Sequence, residues 1–192
     1  MKRLLLTPLL ALTVFAQTKP DLAVEGPKII AEAFAKLSGS LAEAIAKGGP
    51  ATALSVCNEK APQIAKEVAE AHGVTLRRAS QKPRNLKNAA DDVEKIALEA
   101  FMAALAKKEA PKPQIITNPD GSRSFLVPIV LGNPLCLQCH GTPEKDITPE
   151  TLSAIQKLYP EDKAIGFELG DLRGLWRVTF TVKPLEPTVP HQ

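Results

Sequence analysis

The sequence predicts an α+β domain, a small antiparallel sheet with an N-terminal helix and flanking helices packed on one side. Three observations carry this reading. Apolar residues recur at helical spacing through most of the first hundred residues. Turn chemistry and strict alternation then mark strands in the second half. The resulting order, α-α-β-α-β-β-α-β without an internal repeat, mixes both element types in a single layer pair.

Residues 1–16, MKRLLLTPLLALTVFA, read as a signal peptide. Lys2 and Arg3 form a basic start, Leu4 to Phe15 an apolar run, and Val14-Phe15-Ala16 a peptidase site, so cleavage is expected after Ala16. The run contains Pro8 and falls well short of the ~20 residues that span a bilayer. Export to the periplasm or beyond, with no stable membrane insertion after cleavage, is the expectation. Without those residues the chain has 22 basic against 21 acidic side chains. Such balance gives nucleic acid or an anionic membrane no electrostatic hold. The remaining length suits one domain with a real core.

The N-terminal helix is assigned to residues 17–49. Ile30, Phe34, Leu37, Leu41 and Ile45 share a face, with Lys28, Glu32, Lys36 and Glu43 elsewhere, until Gly48-Gly49-Pro50 stops it. A main domain over 50–183 follows. Its first helix ends at His72-Gly73 and is kinked or divided by Pro62, with Ala53, Leu54, Cys57 and Ile64 facing inward. VTLRRASQKPRN reads as a short strand and a basic loop. Asn88 is expected to begin the next helix, whose stripe is Val93, Ile96, Ala97, Ala100, Phe101, Ala104 and Leu105. QIITNPDGSRSFLVPIVL reads as a hairpin turning at Asn118-Pro-Asp-Gly121. Thr148-Pro149-Glu150 starts another helix, and LWRVTFTV alternates as the last strand. Residues 184–192 form a Pro-rich tail.

LCLQCH, from Leu135 to His140, holds two of the three cysteines and one of the three histidines. Three chemistries compete for Cys136, Cys139 and His140. A redox dithiol normally sits at the start of a helix, whereas Gly141-Thr-Pro143 follows here. A zinc site needs a fourth ligand, and Cys57, His72 and His191 are distant and unpaired. Covalent haem fits each element: the two cysteines are spaced to take the vinyl groups as thioethers, and His140 ligates the iron. Haem is attached outside the cytoplasm, in agreement with the leader.

The second axial position has several candidates. His191 lies in the tail, and His72 precedes a helix-ending Gly, where it interacts with the helix dipole. Met102 borders an apolar stripe and serves packing there. Cys57 on an apolar helical face is either a buried inert thiol or a ligand. In the basic loop, Arg77, Arg78, Lys82 and Arg84 are either a solvated edge or partners for the propionates. Arg84 and Arg77 are the named candidates, with Arg173 further along the chain.

Three segments in register, ALSVCNEKAPQIAKEVAEAHGVTLRRASQKPRNLKNAADDVE, LCLQCHG and LYPEDKAIGFELGDLRGLWRVTF, resemble a family of small c-type haem domains. The resemblance covers roughly residues 28–183. Members occur as lone exported proteins and as sensory modules fused to kinases or cyclases. It implies a PAS-like fold, one haem c, His140 as proximal ligand and Cys57 as distal ligand. Phe167 stands where the family pattern would place Tyr.

A thiolate at Cys57 would favour ferric iron and lower the potential. The function expected is redox or small-ligand sensing through a redox partner or a membrane sensor protein. The alternative is a monohaem electron-transfer cytochrome. A peroxidase would need a distal acid–base pair, which no assigned residue supplies.

Overall fold

Gly48 and Gly49 adopt backbone angles that no helix accommodates (φ −158°, ψ 21° and φ 72°, ψ −175°), so the first helical run bends sharply there. This computed structural model describes residues 21–180. The leader with its cleavage point after Ala16, His191 and the tail lie outside the described residues. The bent run, α1 (Leu22–Ser55), starts where the Asp21 carboxylate accepts from the Ala23 N–H at 2.9 Å. Its buried face is Ile29, Ile30 and Ala33. Phe34, expected on that face, is 59% exposed, because the inward stripe is rotated toward Ile29.

The division expected at Pro62 takes an unusual form. One π-helical turn (Val56–Lys60) follows α1, with the Ala61 N–H bonded to the carbonyl of Val56, five residues back. Pro62 then sits harmlessly in the first turn of α2 (Ala61–His72). Gly73, left-handed at φ 62°, closes α2. Strand β1 (Thr75–Ala79) leads into the basic loop. Asn88 does not begin a helix: it ends a short 3-10 turn (Leu86–Asn88) capped by Asn85. The next helix, α3 (Asp92–Ala106), is instead opened by Asp91, which forms a capping box with Glu94. Its buried face is Glu94, Ala97, Leu98 and Phe101, while Ile96 is 69% exposed.

Strands β2 (Gln114–Thr117) and β3 (Arg123–Val130) form the expected hairpin. Helices α4 (Leu137–His140) and α5 (Pro149–Leu158) then precede β4 (Leu172–Phe180). The sheet has the order β1-β4-β3-β2, with every neighbour antiparallel.

Alternation along the strands gives the sheet two apolar faces. Leu76, Phe125, Trp176 and Val178 meet Ile29, Ile30 and Val68 on one face. Ala79, Leu126 and Leu175 meet Ala97, Leu98 and Phe101 on the other. The α+β architecture is as expected, but the helices cover both faces. Neighbouring Phe125 and Leu126, both apolar, each require a cover. Beside the second core, buried Glu94 is held by Arg77 and Arg177. Arg177 also reaches Asp91 and Asn118, each at 2.8 Å. Among the described residues no helix is long and apolar enough to cross a membrane.

Gly174 lies near the start of β4, opposite Ile129 of β3. A β-carbon there would strike the carbonyl oxygen of Ala79, a backbone atom of the paired strand that cannot swing aside. Gly174→Ala is therefore expected to destabilise the fold by about 1–3 kcal/mol, the usual cost of overpacking. Denaturant unfolding measures this, and an unchanged midpoint would contradict the close approach.

Candidate functional site

Beyond β3 the chain continues along β4: the Leu131 N–H donates to Asp171, and the Leu131 carbonyl accepts from Gly170. Asn133 then caps a 3-10 turn (Pro134–Cys136), its side chain accepting from the Leu135 N–H at 2.9 Å. That turn runs directly into α4, which ends at Gly141. Contrary to expectation a short helix does begin on the motif, with Cys136 as its N-cap, but it ends at once at Gly141. Residues three and four apart share a helical face, which brings Cys136, Cys139 and His140 together.

The His140 ring has a defined orientation. Its Nδ1 lies 2.8 Å from the Ala164 carbonyl oxygen and 3.3 Å from Arg173 Nε. Both cannot be hydrogen bonds at once, since the carbonyl needs a proton on Nδ1 and the guanidinium needs a lone pair. The shorter contact places the proton on Nδ1, pointing at Ala164, while Arg173 is occupied by Ser80 Oγ at 3.0 Å and the Lys82 carbonyl at 3.1 Å. Nε2 therefore keeps its lone pair. Burial, reinforced by Arg173 and Arg84, holds the imidazole well below its usual pKa, so the ring stays neutral. The edge of Phe167 meets the ring, with centroids 6.3 Å apart.

A cavity of about 240 Å³ opens beside this motif. Cys136, Cys139 and His140 line it from one side of the sequence, and Cys57 on the π turn lines it from far upstream. Leu41, Ile45, Ile129, Leu131 and Leu135 supply apolar wall, and Tyr159 a phenol. The three cysteines are free thiols. Among the described residues no three His, Cys, Asp or Glu side chains cluster closely enough to hold a metal ion by themselves.

The cavity is cationic. Arg78, Arg84 and Arg173 all line it. Asp162 pairs with Arg84, and among the described residues neither Arg78 nor Arg173 has an ion-pair partner. Burial lowers the pKa of Arg78 and takes that of Arg173 down to about 10. Burial pushes the Cys57 thiol up, opposed by the three arginines. It takes Cys139 to about 11 and Tyr159 to about 12.

The candidates from the sequence separate cleanly in space. Cys57, Cys136, Cys139, His140, Arg84 and Arg173 share the cavity. Arg77 does not line it. In β1 adjacent side chains face opposite ways, and Arg77 points to the α3 side, meeting Glu94 at 3.4 Å and the Ala89 carbonyl at 2.9 Å. Its neighbour Arg78 faces the cavity instead, stacked over Trp176 at 5.4 Å. His72 is tied at the surface to Glu32 at 2.8 Å. Met102 lines a larger groove of about 550 Å³ between α3 and the start of β4, which contains no cysteine or histidine. Reasoning from residues missed Tyr159 and Asp162. An isolated Tyr or Asp in a loop carries no periodic signal.

The sequence model of the Tll0287-like family matches residues 14–181. Among solved structures, the crystal structure of the cyanobacterial haem protein Tll0287 resembles this chain with a TM-score of 0.60 and 25% identity, over 82% of this chain and 95% of that one. Among curated proteins no relative matches. The four-stranded antiparallel sheet with its helices is the PAS-like architecture that the resemblance implied. By fold and by a sequence match that spans the site from Cys57 to His140, the chain belongs to the Tll0287-like family.

Proposed function

We propose that this chain is an exported, single-haem c-type protein that senses redox state or a small ligand and relays it to a partner. The observation that carries the reading is the convergence of Cys57, Cys136, Cys139 and the free Nε2 of His140 on one apolar, cationic cavity. The relationship to a haem protein supports it.

The residues present fit haem in kind. Cys136 and Cys139 are the thioether donors, set side by side by the helical turn. His140 is the proximal ligand, its Nδ1 proton fixed on Ala164 so that Nε2 alone can bind metal. Cys57 is the distal ligand, held near three arginines that offset the negative charge of a thiolate. Arg78 and Arg173 replace Arg77 as the cations offered to propionates, since a buried guanidinium without a carboxylate partner favours an anion. Leu41, Ile45 and Leu131 exclude water from the apolar ring. When bound, haem supplies one-electron redox chemistry and a coordination site for small ligands. The partner proposed is a redox protein or a membrane sensor.

Optical and EPR spectra of the haem-loaded protein, in both oxidation states and with carbon monoxide, test this. Low-spin ferric His/thiolate signals, with carbon monoxide binding after reduction, are expected. Ligands that stay unchanged in both states and resist carbon monoxide would point to an electron-transfer cytochrome instead. A pyridine haemochrome spectrum of haem with both vinyl groups intact would overturn the covalent, c-type reading, and a protein that takes up no haem would overturn the haem reading itself.

A further inference from the structure

The carbonyl of Ala164 accepts two hydrogen bonds, from His140 Nδ1 at 2.8 Å and from Arg84 Nη2 at 3.1 Å. The same Arg84 nitrogen, whose two protons are shared among three acceptors, also donates to the Cys139 carbonyl at 2.6 Å, in the last turn of the CxxCH helix. Asp162 completes a closed circuit. It takes the Arg84 fork at 3.1 Å on both oxygens, and its Oδ1 also accepts from the Ala164 N–H at 2.9 Å. The ion pair is buried, with both side chains less than a tenth exposed. Neither residue is in the proposed ligand set: Asp162 does not line the cavity, and Arg84, which does, spends its fork on Asp162.

Such an arrangement does more than hold the loop. A cation bonded to a carbonyl draws its electron density away and weakens it as an acceptor for a second donor. The His140 Nδ1–H bond to Ala164 is then weaker, and the imidazole donates less strongly from Nε2. The carboxylate of Asp162 partly cancels the cation and restores that donation. We propose that Arg84 and Asp162 are positioning residues that set, through the Ala164 carbonyl, the electron-donating strength of His140 and hence the reduction potential of the bound haem. The proposal rests on the haem reading above and adds the origin of its tuning.

The two partners act with opposite sign, which separates tuning from mere support. In haem-loaded Arg84→Gln, loss of the cation and a stronger Nδ1–H bond both favour ferric iron, so the midpoint potential falls. In Asp162→Asn, nearly unchanged in shape, Arg84 loses its counter-charge and the potential rises. Each shift is expected to be on the order of a tenfold change in the oxidised-to-reduced ratio, ~59 mV for a one-electron couple. Arg84→Lys restores the charge and is expected to recover most of the loss seen in Arg84→Gln. Thermal unfolding followed by circular dichroism establishes that each variant is folded. If Arg84→Gln does not fold, a raised potential in Asp162→Asn with a near-native one in Arg84→Lys still supports the proposal. Shifts of the same sign in Arg84→Gln and Asp162→Asn, or potentials equal to wild type with haem fully attached, overturn it. Wild-type protein without covalent haem would instead sink the reading on which it rests.

Discussion

Replacing Cys136 and Cys139 together by alanine is expected to abolish covalently held haem. A thioether would form here by addition of a cysteine S–H across a haem vinyl double bond, the sulfur to one carbon and the hydrogen to the other. Neither alanine has a group that can do so. The helical turn presents both thiols on the face that carries His140, and burial keeps the Cys139 thiol protonated, with a pKa of about 11. Haem staining after denaturing electrophoresis reads the result directly. Wild type keeps the stain, single variants keep one linkage with a displaced haemochrome band, and the double variant loses it. Stain retained in the double variant would rule out the CxxCH thiols as the attachment points.

Replacing Cys57 by alanine is the second large effect. An anionic sulfur ligand stabilises ferric iron relative to ferrous, so its removal should raise the midpoint potential. Two tenfold steps in the oxidised-to-reduced ratio, ~120 mV, is the order of magnitude expected for loss of a full ligand charge. The ferric optical and EPR spectra should change with it. Arg78, Arg84 and Arg173 act on this sulfur together, each favouring its anion against the burial that opposes it. A potential and a ferric spectrum identical to wild type would exclude Cys57 as a ligand.

Much of the molecule was legible in local chemistry. Gly48-Gly49-Pro50 marked the bend in α1, Gly73 the end of α2, and Asn118-Pro-Asp-Gly121 the hairpin turn, because each needs a backbone that few residues adopt. Burial was harder to read. Phe34 and Ile96 lie on the exposed side of helices whose inward faces also include small or charged residues, Ala33, Ala97 and Glu94. The Glu94 position depends on Arg77 and Arg177, partners from two strands that no helical periodicity anticipates.

The site divides the same way. Cys136, Cys139 and His140 announce themselves by spacing, whereas Arg77 and Arg78 differ only by which face of β1 each occupies. That choice depends on register against β4, where Arg77 pairs with Arg177 and Arg78 with Trp176. Arg84 was identifiable as a basic residue near the motif. Its bonds to Asp162, Cys139 and Ala164 follow from loops meeting in space.

The strand order also governs when the site can exist. In the sheet β1 has one neighbour, β4, the last strand among the described residues. Pairing across so long a separation is slow, and a chain made from its N-terminus must wait for that strand to emerge. Until then Arg78 has no Trp176 beneath it, Arg173 is not placed against His140, and the cavity has no floor. Formation of the cavity therefore coincides with closure of the sheet, and not with formation of the CxxCH turn, which is local in sequence.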